Sequence, residues 1–233
     1  MTGTFVTLGG GGVSAAGRIT PIDELILSVS ATHRPRVCFM STASGDDVEY
    51  VAWFERAFEG RDRTSVLSLF CRRPWGDTDP SMVLERDVIH VGGGSTANLL
   101  AVWRLHGLPD ILAQAAENGV VLAGVSAGVN TWFEGSSTDS FGPLAPLRDG
   151  RGMLPGSACP HYVGEANRQR SCRRMVAEGQ LPAGHAADDG VALVWRRGEL
   201  AEAVGERPGG RAFRVTRHGG RAVETPLDVR YLG

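Results

Sequence analysis

The chain has 233 residues, 42% of them hydrophobic and 21% charged, the balance of a soluble globular protein long enough to build its own core. Its 24 basic and 26 acidic residues leave a net charge of -2, which directs the chain toward neither nucleic acid nor a membrane surface. All 24 basic residues are Arg, and the absence of Lys excludes a P-loop nucleotide-binding lysine, a Schiff-base enzyme and a Ser-Lys dyad.

In chain order, short apolar β-branched runs at residues 4–8, 37–40, 65–70, 88–91 and 120–123 predict strands buried on both faces of a parallel sheet. Helical periodicity falls between them. Residues 46–58 place Val51, Phe54 and Phe58 on one face, 96–105 place Leu99, Leu100 and Trp103, and 109–117 place Ile111, Leu112 and Ala115. Residues 191–195, 212–217 and 221–225 predict further strands, the last two forming an antiparallel hairpin around His218-Gly219-Gly220. The β-α alternation predicts a doubly wound α/β fold with helices on both faces of a mostly parallel sheet, as one domain over residues 1–233 with an antiparallel C-terminal hairpin. Cys38 and Cys71 lie in apolar runs and are expected in buried strands, and the four cysteines form no CxxC pair. With neither a signal-peptide pattern nor an apolar run of membrane-spanning length, the expected location is the cytoplasm.

The sharpest local signal is Gly124-Val125-Ser126-Ala127-Gly128 at the end of an apolar strand. G-x-S-x-G at a strand-to-helix turn is a nucleophile elbow: the turn strains the serine backbone, and the flanking glycines let neighbouring chain pass. A helix starting behind the serine would favour developing negative charge. A second glycine cluster, Gly92-Gly93-Gly94-Ser95, also ends a predicted strand. Its backbone N–H groups suit an oxyanion hole, with Gly93 or Gly94 joining Ala127 as donors. The Gly9–Gly12 cluster does not fit G-x-G-x-x-G and has no acid at the expected spacing, so no dinucleotide cofactor is expected. Nor is a metal: the chain has no HExxH and no Cys/His cluster.

Of six histidines, His161, following Pro160, is the candidate base. His90 is expected in the sheet and His106 at a helix end, while His33, His185 and His218 look like loop residues. The acid that orients the base is sought between serine and histidine. Glu134 falls eight residues past Ser126; along a continuous helix that is about 12 Å. Asp139 lies in a following loop that can fold back, and is preferred; Glu134 stays open.

The elbow with Trp132-Phe133-Glu134, then Thr138-Asp139-Ser140-Phe141-Gly142, then Pro160-His161-Tyr162, resembles the peptidase E (aspartyl dipeptidase) family of serine peptidases, to which cyanophycinases are related. The Val91–Leu100 block and Thr42-Ala43-Ser44-Gly45-Asp46 are similar to it as well. The resemblance implies a three-layer α/β/α fold similar to class I glutamine amidotransferases, a Ser-His-Asp or Ser-His-Glu triad, and hydrolysis of dipeptides with an N-terminal aspartate. Ser126 would be the nucleophile, His161 the base, Asp139 or Glu134 the orienter, and Gly93 and Ala127 the oxyanion donors. An Arg after the histidine would hold the substrate aspartate, and Arg168 is the choice among Arg168, Arg170, Arg173 and Arg174. Two departures bear on specificity: Ser95 where the family has Asn, and Val163 where many members have an acid.

The expected activity is thus a serine exopeptidase acting on small peptides through an acyl-enzyme, as a monomer or homodimer, falling in rate as His161 protonates below neutral pH. The alternatives are an esterase-type serine hydrolase, weakened by a histidine only 35 positions after the serine, and a non-catalytic binder of a small acidic ligand on the same fold.

Overall fold

Strands without polar alternation must be covered on both sides, and they are. The computed structural model describes residues 3–60, 63–70 and 78–233; Cys71 lies outside them. The chain runs β1 (Thr4–Leu8), α1 (Val13–Ala16), α2 (Pro21–Ser28), β2 (Arg36–Met40), α3 (Val48–Ala57), β3 (Arg63–Val66), β4 (Val88–Val91), α4 (Thr96–Leu105), α5 (Leu108–Glu117), β5 (Val121–Val125) and α6 (Ala127–Asn130). It continues through β6 (Phe133–Thr138), β7 (Ala145–Leu147), β8 (Leu154–Cys159), α7 (Arg168–Ala177), β9 (Gly184–Ala187), β10 (Val191–Arg196), β11 (Glu199–Gly205), β12 (Ala212–His218), β13 (Arg221–Pro226) and β14 (Val229–Tyr231).

Eight strands form the main sheet in the order β14-β11-β10-β1-β5-β4-β2-β3. Pairing is parallel from β1 through β5, β4, β2 and β3, whereas β10 runs antiparallel to both β1 and β11. Successive side chains feed opposite faces. Val6, Val88, Val121 and Ala123 join Ile22, Val51 and Phe54 of α2 and α3 on one side. Phe5, Ile89 and Leu122 join Leu99, Trp103 and Leu112 of α4 and α5 on the other. This is the predicted α/β fold with helices on both faces.

A second sheet, β13-β12-β9-β8-β6-β7, was largely missed from sequence. Its residues Phe133, Leu154, Ala158 and Ala187 share the core of α4 and α5, and α7 packs on it through Cys172, Met175 and Val176. The predicted hairpin is β12–β13, but it extends this second sheet, β12 pairing with β9. β6 reads FEGSST, so its composition resembles a loop, yet Ser136, Ser137 and Thr138 are buried. The main-sheet edge strands β11 and β14 were not anticipated either. After the elbow the chain makes one turn, α6, and then enters β6, so no continuous helix leads from Ser126 to Glu134.

Two histidines are held neutral by this packing. His90, in β4, lies against Phe39 and Phe54 with its Nε2 unpartnered, and burial lowers its pKa to about 4. His185 is not in a loop but in β9, edge-on to Trp195; burial, then Arg214, lowers it to about 4. Between pH 6.5 and 4 the unfolded chain takes up protons at these sites that the folded chain cannot, so acid destabilises the fold. Asp23 acts oppositely: burial raises its carboxyl to about 6, so the folded chain gains a proton there between pH 6 and 3.8. Two histidines against one carboxylate leave a net loss of about 3 kcal/mol from pH 7 to 4.5. Thermal unfolding should accordingly show Tm lower by roughly 6–12 °C at pH 4.5. His90→Leu should remove most of that drop, because the remaining histidine is nearly offset by Asp23.

Candidate active site

Ser126 joins β5 to α6 with φ 55° and ψ −114°, a conformation L-residues rarely adopt and one that costs about 1–3 kcal/mol. The elbow glycines are obligatory here. A Cβ on Gly124 would lie 2.7 Å from the Gly128 carbonyl, and one on Gly128 would lie 2.4 Å from the Val91 carbonyl oxygen. The Ser126 N–H donates to the Leu8 carbonyl at 3.3 Å, fastening the turn to the end of β1.

His161 comes from the loop between β8 and α7, with a positive φ of 54°. Its N–H donates to the Gly9 carbonyl at 3.1 Å, so His161 too is fastened to the end of β1. Its Nε2 lies 2.9 Å from Ser126 Oγ, and its Nδ1 lies 2.5 Å from Asp189 Oδ1. A carboxylate can only accept, so Nδ1 carries the proton and Nε2 is left to accept from the serine hydroxyl. That is the tautomer a general base requires.

Asp189 replaces both acids expected from sequence. Glu134 is exposed in β6, and Asp139 pairs at 3.3 Å with Arg168; neither bonds to the imidazole. The reason is topological. Asp189 sits in the turn between β9 and β10, and β10 pairs with β1, which carries the turn to the same sheet edge as the elbow. The Gly190 N–H donates to the Gly10 carbonyl at 2.9 Å. Asp189 lies beyond the stretch between serine and histidine, and its signal in the sequence is Asp188-Asp189-Gly190 directly before a predicted strand.

The Gly9–Gly12 run, already excluded as a dinucleotide site, has a different purpose. A Cβ on Gly9 would lie 2.3 Å from the Ala187 and Asp188 carbonyl oxygens. One on Gly10 would lie 2.0 Å from Asp189 Oδ1 and 2.7 Å from the His161 ring. Bare backbone at the end of β1 is what lets His161 and Asp189 meet above it. Gly10→Ala should therefore separate Asp189 from His161, with the Asp189 side chain, 58% exposed, giving way. The expected result is a kcat lower by about 10²–10³-fold, with the unfolding transition retained. Steady-state kinetics and a melting curve check both parts.

The glycine triplet lies beside the elbow. A Cβ on Gly93 would stand 3.3 Å from Ser126 Cβ, while Gly94, at φ 138°, packs on the Ala43 carbonyl. The Gly93 N–H donates to Tyr50 Oη at 3.2 Å, and the Tyr50 hydroxyl donates to Ser14 Oγ at 2.5 Å. Ala127 is the first residue of α6, so its N–H has no acceptor within the helix. With only four residues, α6 adds little dipole. Ser95 caps α4, its Oγ accepting the Asn98 N–H at 3.3 Å. Asn is an equally good N-cap, which accounts for that departure from the family pattern without touching the glycines.

Arg168 opens α7 and is only 4% exposed, its guanidinium against Glu165 at 2.5 Å and Asp139 at 3.3 Å. Two carboxylates already match its charge, so the structure assigns it to holding the loop after His161 rather than leaving it open for a substrate carboxylate. Val163 is likewise structural: its N–H donates to buried Asp188, which also receives Arg211 at 3.0 Å. Beside the dyad lies a cleft of about 400 Å³ lined by Gly11, Gly12, His161, Asp189, Glu206 and Arg207, among others. The Thr20 hydroxyl donates to Glu206.

A doubly wound sheet with a strained serine at the carboxyl end of a central strand, backed by a histidine, defines an α/β enzyme of the nucleophile-elbow kind. The profile of Peptidase family S51 matches residues 5–203, and the chain belongs to that family of serine peptidases. It is 44% identical over 230 residues to the uncharacterized peptidase YgaJ of Bacillus subtilis, covering 98% of this chain and 99% of that one. It is 30% identical over 142 residues to peptidase E of Shewanella denitrificans, covering 56% and 60% of the two chains. The fold is shared with a crystal structure of a peptidase from an acI-B1 actinobacterium at TM-score 0.71 and 15% identity, covering 98% and 95%. A putative peptidase E from Listeria monocytogenes superposes at TM-score 0.62 and 19% identity, covering 86% and 97%. The esterase and the non-catalytic binder give way to a peptidase.

Proposed function

We propose that the protein is an exopeptidase of short peptides in which Ser126 attacks the scissile carbonyl, His161 removes and then returns the proton, and Asp189 orients the imidazole. The observation that carries this reading is the unbroken Ser126–His161–Asp189 chain of 2.9 and 2.5 Å contacts on a strained elbow. Attack on the carbonyl carbon forms the Oγ–C bond while Nε2 takes the hydroxyl proton. Collapse breaks the C–N bond as that proton passes to the leaving amine, and water then releases the acyl group by the same route in reverse. The N–H groups of Ala127 and Gly93 would donate to the oxyanion, which would compete with Tyr50 Oη for Gly93.

Dipeptides with N-terminal Asp remain the first substrates to test, on the resemblance described above; Arg168 is not available as their reader. Purified protein should hydrolyse at least one of Asp-Leu, Glu-Leu, Ala-Leu and Leu-Leu, and a fluorophosphonate should add to Ser126, located by peptide mass spectrometry. Turnover of an ester with none of the peptides, or an adduct elsewhere, would sink the proposal.

A further inference from the structure

The charges of the cleft beside His161 define what the leaving half of the substrate must carry. In the mechanism above His161 delivers its proton to the departing amine, so the residue that leaves lies on the histidine side of the serine. The 400 Å³ cleft opens on that side: His161 and Asp189 line it, whereas Gly93 and Ala127 do not. Its volume suits one or two amino-acid residues and falls within the usual range for small-ligand sites.

Three charged side chains besides the histidine line this cleft. Asp189 is bonded to His161, and Glu206 accepts from Thr20. Arg207 is the single cation among the described lining residues; it is exposed, and no described acid pairs with it. It lies two residues beyond β11, whose last residue, Gly205, accepts the Leu232 N–H at 3.0 Å, and the intervening Glu206 N–H donates to the Gly190 carbonyl at 2.9 Å, so the segment that carries it is fastened to the main sheet. A guanidinium is built for bidentate contact with a carboxylate, and the leaving residue of a dipeptide places its α-carboxylate two bonds from the nitrogen that His161 protonates.

We propose that Arg207 binds the free C-terminal carboxylate of the leaving residue and so confines the enzyme to substrates that end one residue beyond the scissile bond. The proposal rests on the serine-peptidase mechanism and adds the chemistry that makes the enzyme a dipeptidase. An amidated or extended C-terminus presents Arg207 with no anion, and the charge-assisted pair with the guanidinium does not form.

The test compares the best dipeptide of the panel with its C-terminal amide, in wild type, Arg207→Gln, and Arg196→Gln at the far end of β10. Wild type should prefer the free acid by about 10–100-fold in kcat/KM. Arg207→Gln should lose that preference by slowing on the acid while the amide is nearly unchanged, and Arg196→Gln should behave as wild type. Calorimetry with Ser126→Ala supplies a readout independent of turnover: the acid should bind more tightly than the amide, and the added change Arg207→Gln should equalise them. Equal cleavage of acid and amide by wild type, or a preference that survives Arg207→Gln, overturns the role of Arg207 alone. Hydrolysis that persists in Ser126→Ala overturns the mechanism and the proposal together, as does no hydrolysis at all.

Discussion

Ser126→Ala is expected to lower kcat by at least about 10⁴-fold, because the one atom it removes is the nucleophile of the proposed mechanism. Binding should survive, since Oγ is a small part of what a dipeptide touches. Stability should hardly change, because Ala keeps the strained φ of 55° that Ser has. Ser126→Gly separates these effects. It is equally inactive, but glycine adopts that backbone freely, and the variant should be more stable than Ser126→Ala by about 1–2 kcal/mol. Urea melts of the two variants, beside turnover of the dipeptide, check both statements. Equal stability would show that the elbow stores no strain.

Asp189→Asn should cost about 10³–10⁴-fold in kcat with KM little changed. An asparagine amide can donate to Nδ1, which forces the proton onto Nε2, and a protonated Nε2 cannot accept from Ser126 Oγ. In wild type the Asp189 carboxylate prevents this from 2.5 Å away, and no other described carboxylate bonds to the imidazole. Asp139→Asn and Glu134→Gln should therefore stay within about threefold of wild type, since neither side chain touches His161. A loss in Asp139→Asn as large as that in Asp189→Asn would return the orienting role to the loop acid.

The contrast between these acids shows which parts of the site are written locally. Gly124-Val125-Ser126-Ala127-Gly128 announces itself because strand, strained turn and helix start are consecutive, and each needs a particular residue type. His161 follows from a proline and a sheet edge. Asp189 does not, because its place depends on the pairing of β10 with β1 across most of the chain. The parallel strands β1, β2, β4 and β5 are legible as nearly continuous apolar, β-branched runs. β6 and β8 are not, for they carry Gly, Ser and Thr in positions that are nonetheless buried. Arg168 read as a free cation, although Glu165, three residues earlier, already hinted at a helical-start ion pair. The Gly9–Gly12 run fails as a nucleotide motif on spacing alone, but what its glycines accommodate depends on His161 and residues 187–189, which lie far along the chain.

The antiparallel seam between β1 and β10 also sets when during folding the enzyme becomes competent. Leu8 and Ala192 are partners across it, 184 positions apart. The parallel pairs among β2, β3, β4 and β5 span only 27 to 51 positions and β1 joins β5 across 117, so these units can assemble around the elbow first, because loop-closure entropy grows with separation. At that stage Ser126 is already presented, yet Asp189 has not been brought to Gly10, and His161 has no acid to fix its tautomer. Recovery of helical signal on dilution from denaturant should therefore precede recovery of hydrolysis, with the seam as the last joint to close.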